Sequence, residues 1–443
     1  MEPAAWHGKQ LLSVACGDGH TAAVLDDGAL FTFGRGDDGN LGHGDKDNQT
    51  SPKRVELAVW HGKRVLSVAC GGSHTAAVLD DGTLFTFGDG SYGQLGHGDK
   101  EQQPLPKCVE LVAWLSKRVM SVACGLQHTA AVFDGGALFT FGRGDDGQLG
   151  HGDKANQTSP KCVELAAWQG KRVISVACCK MYTATVLDDG SLFTFGRGNE
   201  GQLGHGDKDD RLKPTRVQLG ATTCAKPPPQ HVIGVAFFKS HAAAWTRDGC
   251  VFCWGADASY GKLGGVGAST VAGRTGGAVT AGDSSVVLSS NLPREVAGLP
   301  HIDAGGRCRR AAADRVVDVV CGPDHSTYAR TRDGSVFAWG RGLGGQLGLG
   351  ATERDHDLPR LMGPVQGRVV TGVFVAHDGA VWLSCAADGA RAERGHGTPP
   401  CDARNPLVLF QGTGADLEAG ASDAGVLASA VQSSGTHGSS AEV

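Results

Sequence analysis

Four segments of this 443-residue chain repeat nearly the same words at a stride of 54 residues. Cys16, Cys70, Cys124 and Cys178 mark the stride, as do Gly28, Gly82, Gly136 and Gly190, and His43, His97, His151 and His205. Each unit reads Ser-Val-Ala-Cys, then His-Thr-Ala-Ala-Val-Leu-Asp-Asp-Gly, Leu-Phe-Thr-Phe-Gly and Gly-Gln-Leu-Gly-His-Gly-Asp-Lys, with small departures. A fixed period of this length implies stacked supersecondary modules, none of which buries its apolar surface alone. Length by itself suggests two or three domains, but a repeat array overrides that expectation.

One unit shows the local structure. Val65 to Cys70 and His74 to Leu79 are short β-prone runs, and Asp80-Asp81-Gly82 between the second run and Thr83–Phe87 reads as a hairpin turn. A glycine-rich loop, Gly88 to Lys100, then leads to a fourth strand expected over Cys108 to Leu111. Pro106 leads into that strand, where no ladder donor is lost. Four short antiparallel strands with no helical periodicity describe a propeller blade. The 69 glycines fit many tight turns.

Later units are looser. The fifth runs through His241, Asp248-Gly249 and Val251–Gly255. The sixth runs through Cys321, His325, Asp333-Gly334 and Val336–Gly340. A worn seventh keeps Val369 to Val375, Asp378-Gly379 and Val381-Trp382. Prolines 52, 106, 160, 214, 293, 359 and 406 count seven fourth strands independently. The expected fold is all-β, a seven-bladed β-propeller of four-stranded antiparallel blades over residues 1–411. It carries an insertion at about 265–291, a degraded seventh blade at about 365–411 and a disordered Ala/Gly/Ser-rich tail at 412–443.

These words resemble the regulator-of-chromosome-condensation repeat, in the order Val-Ala-Cys-Gly-x-x-His-Thr, then Asp-Gly-x-Leu-Phe-Thr-Phe-Gly-x-Gly-x-x-Gly-Gln-Leu-Gly. The resemblance covers residues 10 to 410 and implies a seven-bladed propeller. The Trp-Asp pair of the shorter WD-type blade is missing.

Composition bounds the partners. A net charge of −5 gives no electrostatic case for nucleic acid or an anionic membrane. Met1 to Ala15 shows no secretory pattern, and no apolar run approaches a membrane span. A soluble monomer in the cytoplasm or nucleus is expected. Several of the 14 cysteines recur inside apolar segments, so Cys16, Cys70 and Cys124 read as buried, reduced thiols. The sequons at Asn48 and Asn156 then read as unmodified.

Several motifs imitate chemistry. Gly34-Arg35-Gly36-Asp37-Asp38-Gly39 fits a dinucleotide fingerprint, but that site needs a following helix, and the pattern recurs around the ring. Asp26-Asp27, Asp80-Asp81 and Asp188-Asp189 resemble acid–base pairs, yet neighbouring side chains diverge and Asp before Gly bonds its own turn. His20, His74, His128, His241 and His325 stand one per blade, too far apart to share an ion. The family resemblance implies inter-strand hydrogen bonds for them; unit four has Tyr182 there and Cys179 in place of Gly. Cys250 and Cys253 lie an odd number of residues apart on a strand and face opposite ways. Arg35-Gly36-Asp37 and Arg143-Gly144-Asp145 are turn words. Arg307, Arg309 and Arg310 form a basic loop cluster, read as solvated. No catalytic, cofactor or metal site is assigned.

The function expected is a non-catalytic protein–protein interaction scaffold with a protein partner. The runner-up is guanine-nucleotide exchange on a small GTPase, the activity the resemblance implies through the family's namesake; neither its wedge nor its basic arm is visible. A light-sensing role on this fold uses Gly-Trp-x-His-Thr segments, whereas here the x-x pairs are Asp18-Gly19, Gly72-Ser73 and Leu126-Gln127. Trp6, Trp60, Trp114 and Trp168 instead recur between blades, as packing residues. A ligase of the HECT type does not fit in the residues after 410. The candidate partner-binding loop is the insertion in blade five, at Arg274, Thr275, Gly276 and Gly277. His or Tyr to proline spans 32 residues in units one to four but 52 from His241 to Pro293.

Overall fold

The computed structural model describes residues 9, 11–60, 62–110, 117–220, 231–238, 240–256, 263–264, 290–296, 298–299, 315–322, 325–342, 345–349, 355–362, 370–375, 381–385 and 411–412. Strand is the dominant regular structure in them; the rest is turn, loop and two 3-10 turns at Leu57–Trp60 and Leu165–Trp168.

Blade one is β1 (Leu11–Cys16), β2 (His20–Leu25), β3 (Leu30–Gly34) and β4 (Gln49–Arg54), hydrogen-bonded in that order. Blade two is β5 (Val65–Cys70), β6 (His74–Leu79), β7 (Leu84–Gly88) and β8 (Gln103–Cys108). Blade three holds β9 (Val119–Cys124), β10 (His128–Phe133), β11 (Leu138–Gly142) and β12 (Gln157–Cys162). Blade four holds β13 (Val173–Cys179), β14 (Tyr182–Leu187), β15 (Leu192–Gly196) and β16 (Arg211–Arg216). Blade five is β17 (Val232–Phe238), β18 (His241–Thr246), β19 (Val251–Gly255) and β20 (Ser290–Glu295). Blade six is β21 (Val316–Cys321), β22 (Ser326–Thr331), β23 (Val336–Gly340) and β24 (His356–Leu361). The seventh blade is described through β25 (Val370–Val375) and β26 (Val381–Cys385). A two-residue strand, β27 (Gln411–Gly412), pairs parallel to Phe237 and Phe238 of β17. The molecule is an all-β, seven-bladed propeller.

First strands of successive blades touch one another and form the inner ring. The core lies in the seams between blades. One apolar cluster joins Val24, Leu30 and Trp60 to Val68, Leu79 and Phe87, and the same construction recurs at each seam through blades six and seven. Trp60 and Trp168 are wholly buried, each meeting the next blade's Phe85 or Phe193 edge-on. This is the packing expected of them; Trp6 and Trp114 lie outside the described residues.

The hairpin and loop words dictate two faces. Asp81 Oδ1 accepts from Thr83 N (3.0 Å), and Asp27 and Asp189 repeat the bond. Gly82 follows at φ +83, where an added Cβ would also stand 2.5 Å from Arg118 Cβ of the next blade. These hairpins, and the starts of the inner strands, make one face, here the hairpin face. The Cys-Gly-x-x-His turns and the long loops between third and fourth strands make the other, the loop face.

Two expectations are corrected. The fourth strand spans Gln103–Cys108, not Cys108–Leu111, and Pro106 is its fourth residue, not its first. Six described prolines share that place: Pro52, Pro106, Pro160, Pro214, Pro293 and Pro359. Each falls where the register against the third strand slips, as between Thr86↔Lys107 and Gly88↔Gln103, so the missing N–H breaks no ladder bond. Pro406 lies outside the described residues. His325 is not the sixth blade's counterpart of His74. Ser326 pairs with Gly340 as His74 pairs with Gly88, and His325 sits in the preceding turn at φ +58. The register shows why: Cys70 faces Thr75, five residues on, but Cys321 faces Thr327, six residues on, so the turn holds one more residue.

Candidate interaction surfaces

The loop face is held from beneath by a hydrogen-bonded relay that crosses the first three seams. His20 Nε2 lies 2.8 Å from Thr75 Oγ1 of the next blade, and that hydroxyl donates to Asn40 O at 2.8 Å. The hydroxyl has one proton and gives it to the carbonyl, so the imidazole donates through Nε2. His74 to Thr129 (2.9 Å) to Gln94 O, and His128 to Thr183 (2.9 Å) to Gln148 O, repeat the relay. The bonds therefore join blades and not strands of one blade. Burial holds these rings neutral, pushing His20 and His128 down to about 3 and His74 to about 4. Gly71 is required beneath the ring: a Cβ there would lie 2.2 Å from His74 Cε1.

A four-part replacement occurs at the seam between blades four and five. Tyr182 stands in the histidine position and meets Phe237 edge-on with ring centroids 5.0 Å apart. Ala242 replaces the threonine, and Trp254 Nε1 takes over the carbonyl, donating to Gln202 O at 2.8 Å. Cys179 replaces the glycine, which no longer has an imidazole above it. Sequence reading registered Tyr182 and Cys179, but missed that Ala242 and Trp254 complete the set; the paired change across repeats was the available signal.

Above the relay, the long loops lie across the next blade. Thr32 Oγ1 donates to Leu41 O (2.6 Å) and receives His43 Nε2 (3.0 Å). Gly36 N donates to Asn48 Oδ1 (2.8 Å), and Gly44 N reaches Pro104 O of blade two (2.9 Å). The sequence that imitates a nucleotide fingerprint is thus a self-bonded turn with no helix behind it. Asp37, Asp47, Glu101, Asp145 and Asp209 project from these loops into solvent. Arg143 pairs with Asp145 (2.9 Å) and lies over the Tyr92 ring at 5.3 Å.

The candidate loop residues Arg274, Thr275, Gly276 and Gly277 lie outside the described residues, as do Arg307, Arg309 and Arg310. The strands that flank the insertion do show where it attaches. β19 ends and β20 begins on the loop face, and Gly255 pairs with Ser290 as Gly88 pairs with Gln103. Gly206 N still reaches Asn291 O (2.8 Å), the bond each earlier loop makes to its neighbour.

The thiols of the inner strands are set back from both faces, whereas Cys162 at the end of β12 is exposed. Cys16, Cys70, Cys124 and Cys178 are buried thiols, and burial pushes Cys124 up to about 12 and Cys70 and Cys178 well above the ordinary thiol range. Cys250 and Cys253 belong to the cores on opposite sides of blade five. No helix among the described residues is long and apolar enough to cross a membrane.

Comparison with known proteins agrees with this architecture. The model of the RCC1-like domain matches residues 2–227, and models of the regulator of chromosome condensation (RCC1) repeat match residues 316–346 and 333–383. The ultraviolet-B receptor UVR8 of Arabidopsis thaliana is 33% identical over 356 residues, 80% of this chain and 70% of that protein. The human E3 ubiquitin-protein ligase HERC2 is 36% identical over 240 residues, 54% of this chain but 5% of that protein. Among solved structures, human WBSCR16 superimposes with a TM-score of 0.65 at 25% identity, covering 83% of this chain and 85% of the other. Yeast RCC1 (Prp20), solved bound to Kap60, gives a TM-score of 0.66 at 19% identity, covering 85% and 81%. With a family model over half its length and UVR8 aligned along most of both chains, this chain belongs to the RCC1-like propeller family.

Proposed function

We propose that the protein is a non-catalytic interaction scaffold that presents its propeller faces to a protein partner. The observation that carries this reading is the fate of its reactive side chains. The turn carboxylates Asp27, Asp81 and Asp189 cap their own hairpins, the imidazoles of His20, His74 and His128 are neutral and buried, and the core thiols are protonated. What remains exposed is a rigidly tethered surface suited to recognition. A soluble monomer acting in the cytoplasm or nucleus is part of this reading.

Guanine-nucleotide exchange on a small GTPase is the second reading. It draws on the family membership and on Prp20p of Saccharomyces cerevisiae, a structural neighbour studied for binding to Gsp1p and histones. Fluorescent-nucleotide release from a panel of small GTPases separates the two. The scaffold reading expects release at the intrinsic rate; catalytic acceleration by the full chain would replace it with the exchange reading. Affinity capture from the native cell with mass spectrometry then identifies the partner.

A further inference from the structure

Every inner strand carries a β-bulge at its second residue. The register skips Leu12, Leu66, Met120, Ile174, Ile233, Val317 and Thr371 in turn, each pairing pattern slipping at that place. A bulge turns a side chain out of the strand's alternation. In blades one to four that side chain is large, apolar and solvent-facing: Leu12 is 42% exposed, Leu66 39%, Met120 51% and Ile174 47%. The residue before each of the last three, Val65, Val119 or Val173, is buried. Because adjacent inner strands touch, the four form an arc around the inner ring where it opens on the hairpin face. Single exposed leucines are ordinary on a protein surface, but the same exposed position filled four times in succession makes a repeated apolar row.

A collar of cations borders the arc. Lys63-Arg64, Lys117-Arg118 and Lys171-Arg172 immediately precede the buried valines and are exposed. Most of these charges are engaged: Lys63 with Asp81, Arg172 with Asp188 at 3.1 Å, and Arg64 and Arg118 with the carbonyls of Asp26 and Asp80. Lys117 differs. Gly135 occupies the place of Asp81 in its hairpin, and Lys117 makes no ion pair among the described residues. Its charge lies three residues from Met120, the most exposed member of the arc.

We propose that Leu12, Leu66, Met120 and Ile174, with Lys117, form a docking surface for an acidic, amphipathic peptide segment of a protein partner. Apolar side chains of that segment cover the bulge residues, and a carboxylate supplies Lys117 with the partner that Gly135 removes from its hairpin. This inference rests on the scaffold reading and places the contact on the face opposite the blade-five insertion.

The test is to pan a random dodecapeptide phage library against the full chain and to measure the selected peptides by fluorescence anisotropy. The expected peptides place Asp or Glu next to Leu, Phe or Trp. The variant Leu66→Lys/Met120→Lys/Ile174→Lys should weaken them at least about tenfold, and Met120→Ala alone roughly threefold. Lys117→Glu should weaken them roughly fivefold and flatten the salt dependence. Thermal melting of each variant should match the parent, since every altered side chain is exposed. Selected peptides that bind the triple variant unchanged would overturn the arc while leaving the scaffold reading intact; a library that yields no binder counts against both. A dimer in sedimentation that the triple variant abolishes, or flotation with phosphatidylserine vesicles that it abolishes, would replace the peptide as occupant and overturn the proposal.

Discussion

A wholly buried imidazole that spends its one N–H on a neighbouring hydroxyl must stay neutral for the seam to stay closed. His20, His74 and His128 are in that position, with values pushed from 6.5 down to about 3, 4 and 3 by burial. The folded state therefore binds fewer protons than the unfolded chain between those values and 6.5. The stability these rings contribute is present above pH 6.5 and is lost as pH falls below it, by about 1.4 kcal/mol per pH unit for each ring. At pH 5 that is roughly 2 kcal/mol per histidine. We expect His74→Gln to be less stable than the parent at pH 7 yet to lose about 2 kcal/mol less between pH 7 and pH 5. Urea midpoints at the two pH values check this, and an unchanged pH dependence would place the acid response elsewhere. The blade-four exception carries its own expectation. Tyr182→His puts an imidazole over the Cβ of Cys179 and opposite Ala242, which has no hydroxyl, so it should cost about 3 kcal/mol. Adding Cys179→Gly and Ala242→Thr should recover part of that loss. Full recovery should need Trp254→Phe, because the new threonine and the indole N–H compete for Gln202 O. Thermal denaturation of the single, triple and quadruple variants measures each step, and additive losses would contradict the coupling.

At the level of strands, the sequence words map onto elements with little slippage where the pattern has period two. Val65–Cys70 and His74–Leu79 are strands over the very residues expected, and the Asp-Asp-Gly hairpins cap themselves as turn chemistry dictates. The fourth strand was misplaced because its ends are set by a bulge and not by alternation. Gln103-Pro-Leu-Pro-Lys-Cys108 is polar, edge-exposed and proline-bearing, so nothing in its composition marks a strand; only pairing with β7 does. The inner-strand bulges were equally invisible, since Val-Leu-Ser-Val looks like a continuous apolar run until its partner's register is known. His325 misled for a related reason: one added residue in a turn moves a marker out of the ladder without changing the local words. The bulged prolines have a consequence of their own. An outer strand offers an unpaired edge, and proline blocks its use as a template. Replacing Pro52, Pro106 and Pro160 with Val should leave the protein folded but raise concentration-dependent light scattering on incubation. Unaltered scattering at equal concentration would assign the prolines to turn geometry alone.

Across the whole ring, the seam relays and the loop-to-neighbour bonds make each blade's closure local, which is why a long insertion is tolerated in blade five. Gly88 and Gln103 pair across fifteen positions in blade two, whereas Gly255 and Ser290 pair across thirty-five in blade five, with the same register on both sides. Twenty residues have been added without moving the strands they join. Closing a loop of that greater length costs only about 0.7 kcal/mol by the logarithmic dependence of loop entropy on length. Replacing residues 265–289 with a linker of the length used in blade two, built on Gly-His-Gly-Asp-Lys, should therefore leave the melting temperature unchanged or raise it by about 1–2 °C. The partner identified by affinity capture then decides what the insertion, and Arg274 to Gly277 within it, contributes. Loss of that partner with an unchanged melting temperature assigns recognition to the loop face. Undiminished capture makes the insertion a tolerated decoration and leaves the opposite face, with its arc of bulge residues, to hold the partner. A melting temperature lowered by more than about 5 °C would contradict local closure itself, because it would mean that the added residues support the ring.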